Sequence, residues 1–158
     1  MPKQDFQVVF WGVRGSLPVP GADTIRFGGN TSCVQVQIGE NLIILDAGTG
    51  IFRLGHHLIN NPTAITGDIF ITHTHWDHIQ GFPFFGPAFK PGNRFTIYGP
   101  VKTDQTFADL MKGQMVYQHF PISLDDMGAQ INFRELTSGA DLGLKDGIRV
   151  RTVHNNHP

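Results

Sequence analysis

A chain of 158 residues is long enough to bury one sizeable core and suits a single domain. Hydrophobic residues at 40% and charged residues at only 16% are the composition of a globular protein rather than a disordered one. A net charge of −1 gives no strong electrostatic signal for nucleic acid or an anionic membrane, and a lone cysteine, Cys33, permits no internal disulfide and makes a reducing, cytoplasmic location the expectation.

The start, Met1 to Phe10, lacks the apolar run after a basic segment that marks a signal peptide, and no stretch approaches the roughly 20 apolar residues that span a bilayer. Phe6, Val8 and Phe10 alternate with Gln7 and Val9, which predicts a strand. Gly12 to Asn30, with Gly15, Pro18, Pro20, Gly21, Gly28 and Gly29, is too punctuated for a helix and reads as a long loop, a kind of segment that is often functional. Val34, Val36 and Ile38 alternate with glutamines, Gly39-Glu40-Asn41 turns the chain, and Leu42 to Leu45 is a continuous apolar run ending at Asp46. The pair is expected to be a hairpin with one half-exposed and one buried strand. Ile51, Leu54, Leu58 and Ile59 have helical spacing.

Asp68 to Thr72 reads as another buried strand, and a histidine cluster begins as it ends. Phe82 to Phe89 is expected to be a short, ragged helix because of Pro83 and Pro87, and Phe95 to Tyr98 a strand. Thr103 to Met115 is predicted helical, with Phe107, Leu110 and Met111 on one face and Thr103 or Asp104 as N-cap. Ile131 to Leu136 and Ile148 to Val153 read as further strands, giving a mixed α and β class.

The chemistry is concentrated in Thr72-His73-Thr74-His75-Trp76-Asp77-His78, three imidazoles and a carboxylate of the kind that zinc, iron and manganese accept. In an extended chain His73 and His75 project to one side. Asp77 and His78 can then supply a second metal from the next turn, and two metals roughly 3.5–4 Å apart can share a hydroxide and clamp a hydrolytic transition state. Several other residues leave two readings open. Asp46 either orients a ligand histidine or is a turn carboxylate at a strand end. Arg14 either contacts a phosphate or makes an ordinary loop salt bridge. Asn30 and Thr31 are expected to be structural turn residues, Trp76 to pack as a wall of the site, and Phe82, Phe84, Phe85 and Phe89 to be aromatic core. His56, His57 and His119 are expected at the surface and Cys33 inside.

His73-x-His75-x-Asp77-His78 resembles the signature of the metallo-β-lactamase superfamily. Phe10 to Ser16, Gly28 to Cys33 and Leu45 to Gly50 sharpen the likeness to the branch similar to ribonuclease Z and phosphodiesterases. The resemblance implies an α+β fold, the αββα sandwich, of which residues 1–158 would hold the first half plus the start of the second as a single domain incomplete at its C-terminal end. A half-built sandwich would leave a sheet face and a strand edge open.

By position, the resemblance implies that His73 and His75 bind one metal and Asp77 and His78 a second. A third histidine for the first metal, often within an Asn-His-Pro string, falls on His157 of Asn156-His157-Pro158, with His154 as rival. It further implies two zinc ions, with manganese or iron as alternatives, and a bridging hydroxide. Asp77 is the catalytic residue, and the bridging aspartate and final histidine have no counterpart in the sequence. The expected activity is metal-dependent hydrolysis, most readily of a phosphodiester in a small-molecule or nucleotide substrate, with no membrane partner and a homodimer left open. Hydrolysis of lactones or thioesters, a metal-binding sensor without turnover, and a flavodiiron-like oxidoreductase are the competing readings.

Overall fold

The computed structural model describes residues 5–157. Its centre is a six-stranded sheet in the order β1-β2-β3-β4-β5-β6. The strands are β1 (Phe6–Gly12), β2 (Cys33–Ile38), β3 (Asn41–Leu45), β4 (Thr66–Phe70), β5 (Arg94–Pro100) and β6 (Gln130–Leu136). The first three pair antiparallel and the last four parallel. The switch follows from the connections. Gly39-Glu40 closes a tight hairpin between β2 and β3, whereas each later return passes through helical chain, which brings the next strand back parallel.

Strand alternation sorts the side chains. Ile44, Ile69 and Ile97 are neighbours in register and point with Leu42 and Phe95 into the main core. That core is closed by α1 (Gly50–Leu58), by the 3-10 turns Phe82–Phe84 and Gly86–Phe89, and by α3 (Phe107–Gly113). α1 contributes Ile51 and Leu54, spaced to share one helical face. On the opposite face, Ile43, Phe70 and Tyr98 meet Leu142 and Val150 of a small antiparallel hairpin, β7 (Asp141–Gly143) and β8 (Arg149–Arg151). The layers are therefore helices, main sheet and hairpin. Phe6 and Phe10 on β1 share the hairpin's side of the sheet but are 67% and 68% exposed.

Three sequence expectations shift. The region from Phe82 to Phe89 is two 3-10 turns rather than one helix, because Pro83 and Pro87 each sit at the start of a turn and remove the N–H that a continuous helix needs. The helix expected from Thr103 starts only at Phe107, with Thr106 as N-cap accepting a hydrogen bond from the Asp109 N–H at 3.1 Å. The Phe107 N–H is taken up by Glu135 at 2.7 Å, which fixes that start and drives the fully buried Phe107 into the core. The last strand is the three residues Arg149–Arg151, and its partner β7 was not expected. Cys33 is buried as expected. Among the described residues no helix is long and apolar enough to cross a membrane.

Candidate metal centre

The site forms where the parallel strands end, the usual crevice of such sheets. β4 stops at Phe70, the Ile71 N–H still bonds the Tyr98 carbonyl, and then Thr72 leaves the sheet. His73 to His75 run on to the extended N-cap of α2 (Trp76–Ile79), a single turn. An extended stretch followed by one helical turn is what lets four near-consecutive side chains meet. His73 Nε2 and His75 Nδ1 lie 3.1 Å apart, and the His73 and His78 ring centres are 4.1 Å apart. His157 arrives from the end of the described chain, its ring 4.8 Å from His73 and 5.3 Å from His75. One ligand nitrogen from each of His73, His75 and His157 lies within 4.8 Å of the others, so the three can hold a metal ion. His154 lines the same groove but is not in this group. Pro158, the end of the Asn-His-Pro string, lies outside the described residues, as do Met1 to Gln4 of the N-terminal segment.

Beneath the imidazoles sits Asp46, 4% exposed and left-handed at φ 61°. It accepts from the Thr72 N–H at 2.8 Å, the Thr72 hydroxyl at 2.9 Å, the Ser32 hydroxyl at 3.1 Å and His78 Nδ1 at 2.7 Å. A carboxylate only accepts, so Nδ1 of His78 carries the proton and Nε2 keeps a lone pair to offer a metal. The Thr72 hydroxyl spends its proton on Asp46 and stands 3.1 Å from His73 Nδ1. It therefore accepts from Nδ1–H there, which leaves Nε2 of His73 with the lone pair that a metal would take. Of the two readings of Asp46, orientation of a histidine is the one the geometry supports.

Asp77 is buried beside this group. Its Oδ2 accepts from the backbone N–H of Ser16 at 2.7 Å and lies 3.4 Å from His78 Nε2. Burial pushes its carboxyl up, but the Ser16 N–H and the neighbouring His78 outweigh that and hold it below the ordinary carboxylate range. Burial, followed by the neighbouring His78, His75 and His157, pushes His73 below its ordinary value. A neutral imidazole is the form that binds metal.

α2 is seated by backbone contacts. Ala47 N–H donates to the His78 carbonyl at 2.7 Å, and Gly81 N–H to the Ala47 carbonyl at 2.9 Å. A Cβ on Gly48 would come 2.1 Å from the Asp77 carbonyl oxygen, so only glycine allows the strand end to lie against the turn that carries Asp77 and His78. Thr31 is fully buried and exchanges hydrogen bonds with Thr49, a structural role as expected. Arg14 does not make the loop salt bridge that was one of its two readings. Its Nε donates to the Leu17 carbonyl at 3.0 Å, and it makes no ion pair among the described residues. Trp76 is 79% exposed rather than packed as a wall, because as the first residue of a one-turn helix it has no element over it. Phe82 and Phe85 are core, whereas Phe84 is exposed and meets Phe120 edge-on. His56 and His57 are at the surface beside Phe52 and Trp11, and His119 is also exposed. Ser16, Ser32 and Thr72 were not foreseen. All three nevertheless stand in segments that carry the family resemblance, Phe10 to Ser16, Gly28 to Cys33 and Thr72 to His78.

The site opens into a groove of about 1130 Å³ that runs from the histidines to Lys102 and Arg151. Arg151 is paired with Asp141 at 3.1 Å.

The chain resembles known proteins along most of its length. The ribonuclease Z of Pyrococcus horikoshii is 26% identical over 134 residues, 82% of this chain and 41% of its own length. That of Thermoplasma acidophilum is 25% identical over 159 residues, 98% of this chain and 45% of its own. The chain thus spans less than half the length of the curated relatives it matches. A crystal structure of a diphosphatase from the PhnP family superposes with a TM-score of 0.52 at 20% identity, covering 87% of this chain and 53% of that one. This likeness bears on the fold, which is that of the metallo-β-lactamases. Residues 22–158 match the family described as anti-Pycsar protein Apyc1. That match takes in every strand of the main sheet after β1, the whole His-rich motif and His157, and so the chain belongs to the anti-Pycsar protein Apyc1 family.

Proposed function

We propose that this chain carries the metal site of a metal-dependent hydrolase acting on phosphodiesters. The observation that carries the proposal is the convergence of His73, His75 and His157, with Asp77 and His78 beside them. An all-imidazole set fits zinc best, with manganese or iron as alternatives. His73, His75 and His157 would hold one ion, and Asp77 with His78 would offer donors to a second. Such ions, when bound, would lower the pKa of water toward about 7, making hydroxide available as the nucleophile, and would offset charge on the attacked group.

The chain's own residues do the rest. Asp46 keeps His78 in one tautomer, and Thr72 does the same for His73. Asp77, ionised across the neutral range, accepts a hydrogen bond from the attacking water and orients it. Lys102 gives the far end of the groove a positive charge, which suits an anionic substrate. The relatives are ribonucleases by name, and RNA is a phosphodiester polymer. We place the site in a reducing compartment on the strength of the single buried Cys33.

The test is turnover of a generic phosphodiester by the whole protein with zinc or manganese supplied, compared with Asp77→Ala. We expect the variant to lose about a thousandfold in kcat, far more than the loss of the Ser16 contact would account for through stability, because the carboxylate serves the site and not the core. Near wild-type turnover in the variant would remove Asp77 from its role. Metal binding without any turnover would point to a sensor, and turnover of lactones or thioesters alone would move the substrate class.

A further inference from the structure

The loop between β1 and β2, residues 13–32, holds one short 3-10 turn, Ala22–Thr24, yet its first part is closely tied. The Val13 and Arg14 N–H groups both donate to the Asn30 carbonyl, at 3.1 and 3.0 Å, and the Val19 N–H donates to the Gly29 carbonyl at 2.9 Å. Between these ties the chain reverses at Gly15-Ser16-Leu17. The Leu17 N–H bonds the Gly15 carbonyl at 2.8 Å, two residues back, and the central residue Ser16 has φ 66°. This is a γ-turn in its rare, strained form, and Ser16 is not glycine. Such a residue costs on the order of 1–3 kcal/mol and persists only where surrounding contacts over-determine it. The contact that answers the strain is the Ser16 N–H itself, which donates to Asp77 Oδ2 at 2.7 Å across 61 positions of sequence. A hydrogen bond to an ionised acceptor is about twice as strong as a neutral one.

We infer that this γ-turn is a clamp on the ligand carboxylate: the Ser16 backbone N–H holds Asp77 in the rotamer the metal site needs. The inference rests on the metal-site reading above and adds a positioning residue to it. Asp77 makes its contacts with Ser16 and His78 through Oδ2 alone. Oδ1 has no side-chain or loop partner among the described residues, so a carboxylate fixed by one oxygen presents the other in a single orientation. Without the clamp the side chain of Asp77, on a one-turn helix, would sample other rotamers, and each productive binding event would carry that ordering cost.

A side-chain substitution does not remove a backbone donor, so the test replaces the amide. In the whole protein, serine at position 16 is exchanged by nonsense suppression for its α-hydroxy acid, which turns the N–H into an ester oxygen. The same exchange at Val19 removes a loop hydrogen bond that does not reach the site. We expect the ester at 16 to weaken Mn²⁺ or Zn²⁺ binding, measured by calorimetry, about tenfold or more, and the ester at 19 to leave it within about twofold. In the metal-free wild type the Ser16 amide should exchange slowly with solvent, and Asp77→Ala should release it. Unchanged affinity in the ester at 16 overturns the clamp, and so does a Ser16 amide that exchanges as fast as an open loop and ignores Asp77→Ala. If wild type and Asp77→Ala bind metal equally, the reading of Asp77 as a metal donor falls instead, and amide exchange still decides the clamp.

Discussion

Asp46 satisfies a backbone N–H, two hydroxyls and an imidazole with one carboxylate, and it does so from a left-handed backbone that few non-glycine residues adopt. Asparagine is close in size and tolerates that conformation, which makes Asp46→Asn an informative change. The amide oxygen can still accept from Thr72, but its NH₂ would then face His78 Nδ1 and donate to it. That forces the proton of His78 onto Nε2, the nitrogen that the proposed metal site needs. We expect the variant to fold and to lose about 10–100-fold in metal affinity, with nitrogen-15 NMR showing the switched tautomer. An unswitched His78 at unchanged affinity would refute the orienting role. The meeting of these side chains was legible in the sequence, because His73, His75, Asp77 and His78 are packed into six consecutive positions and local geometry alone brings them together. What holds them was not. Ser16 reaches Asp77 across 61 positions, and its signal is a backbone angle that no residue type announces.

At the scale of elements, the strands were easier to read than the helices. Leu42 to Ile44 is apolar throughout because β3 is covered there on both faces, by the main core through Leu42 and Ile44 and by the hairpin side through Ile43. The start of α3 was misplaced because Thr103, Asp104 and Thr106 are all fit to cap, and the choice is made by Glu135 on β6, a partner that local sequence cannot supply. The hairpin strand β7 is three residues long, too short for alternation to show. The seat of α2 gives a sharp test. In Gly48→Ala the new methyl would come 2.1 Å from the Asp77 carbonyl oxygen and 2.4 Å from Thr31 Oγ1, and both neighbours are held by buried structure. The ligand turn has to move. We expect a loss of about 2–3 kcal/mol in urea unfolding and weaker metal binding than the stability loss alone would give. A variant as stable as wild type would mean that the turn is loosely seated.

For the molecule as a whole, the sheet has unequal faces. Helices and 3-10 turns cover one side, while the hairpin covers the other only near Ile43, Phe70 and Tyr98. Toward the β1 edge, Phe6, Val8 and Phe10 stand in one alternating row, and Leu45 on β3 is also exposed on that side. A contiguous apolar face next to an open strand edge is an association site for a chain in water. The 158-residue chain on its own should therefore bind a hydrophobic dye such as ANS and sediment with a weight that rises with protein concentration. Replacing both aromatics on this row, Phe6→Lys with Phe10→Lys, should reduce dye binding and association together. Stability should stay within about 0.5 kcal/mol per site, since both side chains are mostly in solvent already. A chain that is monomeric at high concentration and does not brighten the dye would show that this face is not sticky. Association that survives the double replacement would place the contact elsewhere, with Ile25 and Phe27 of the β1–β2 loop the next exposed apolar pair to change.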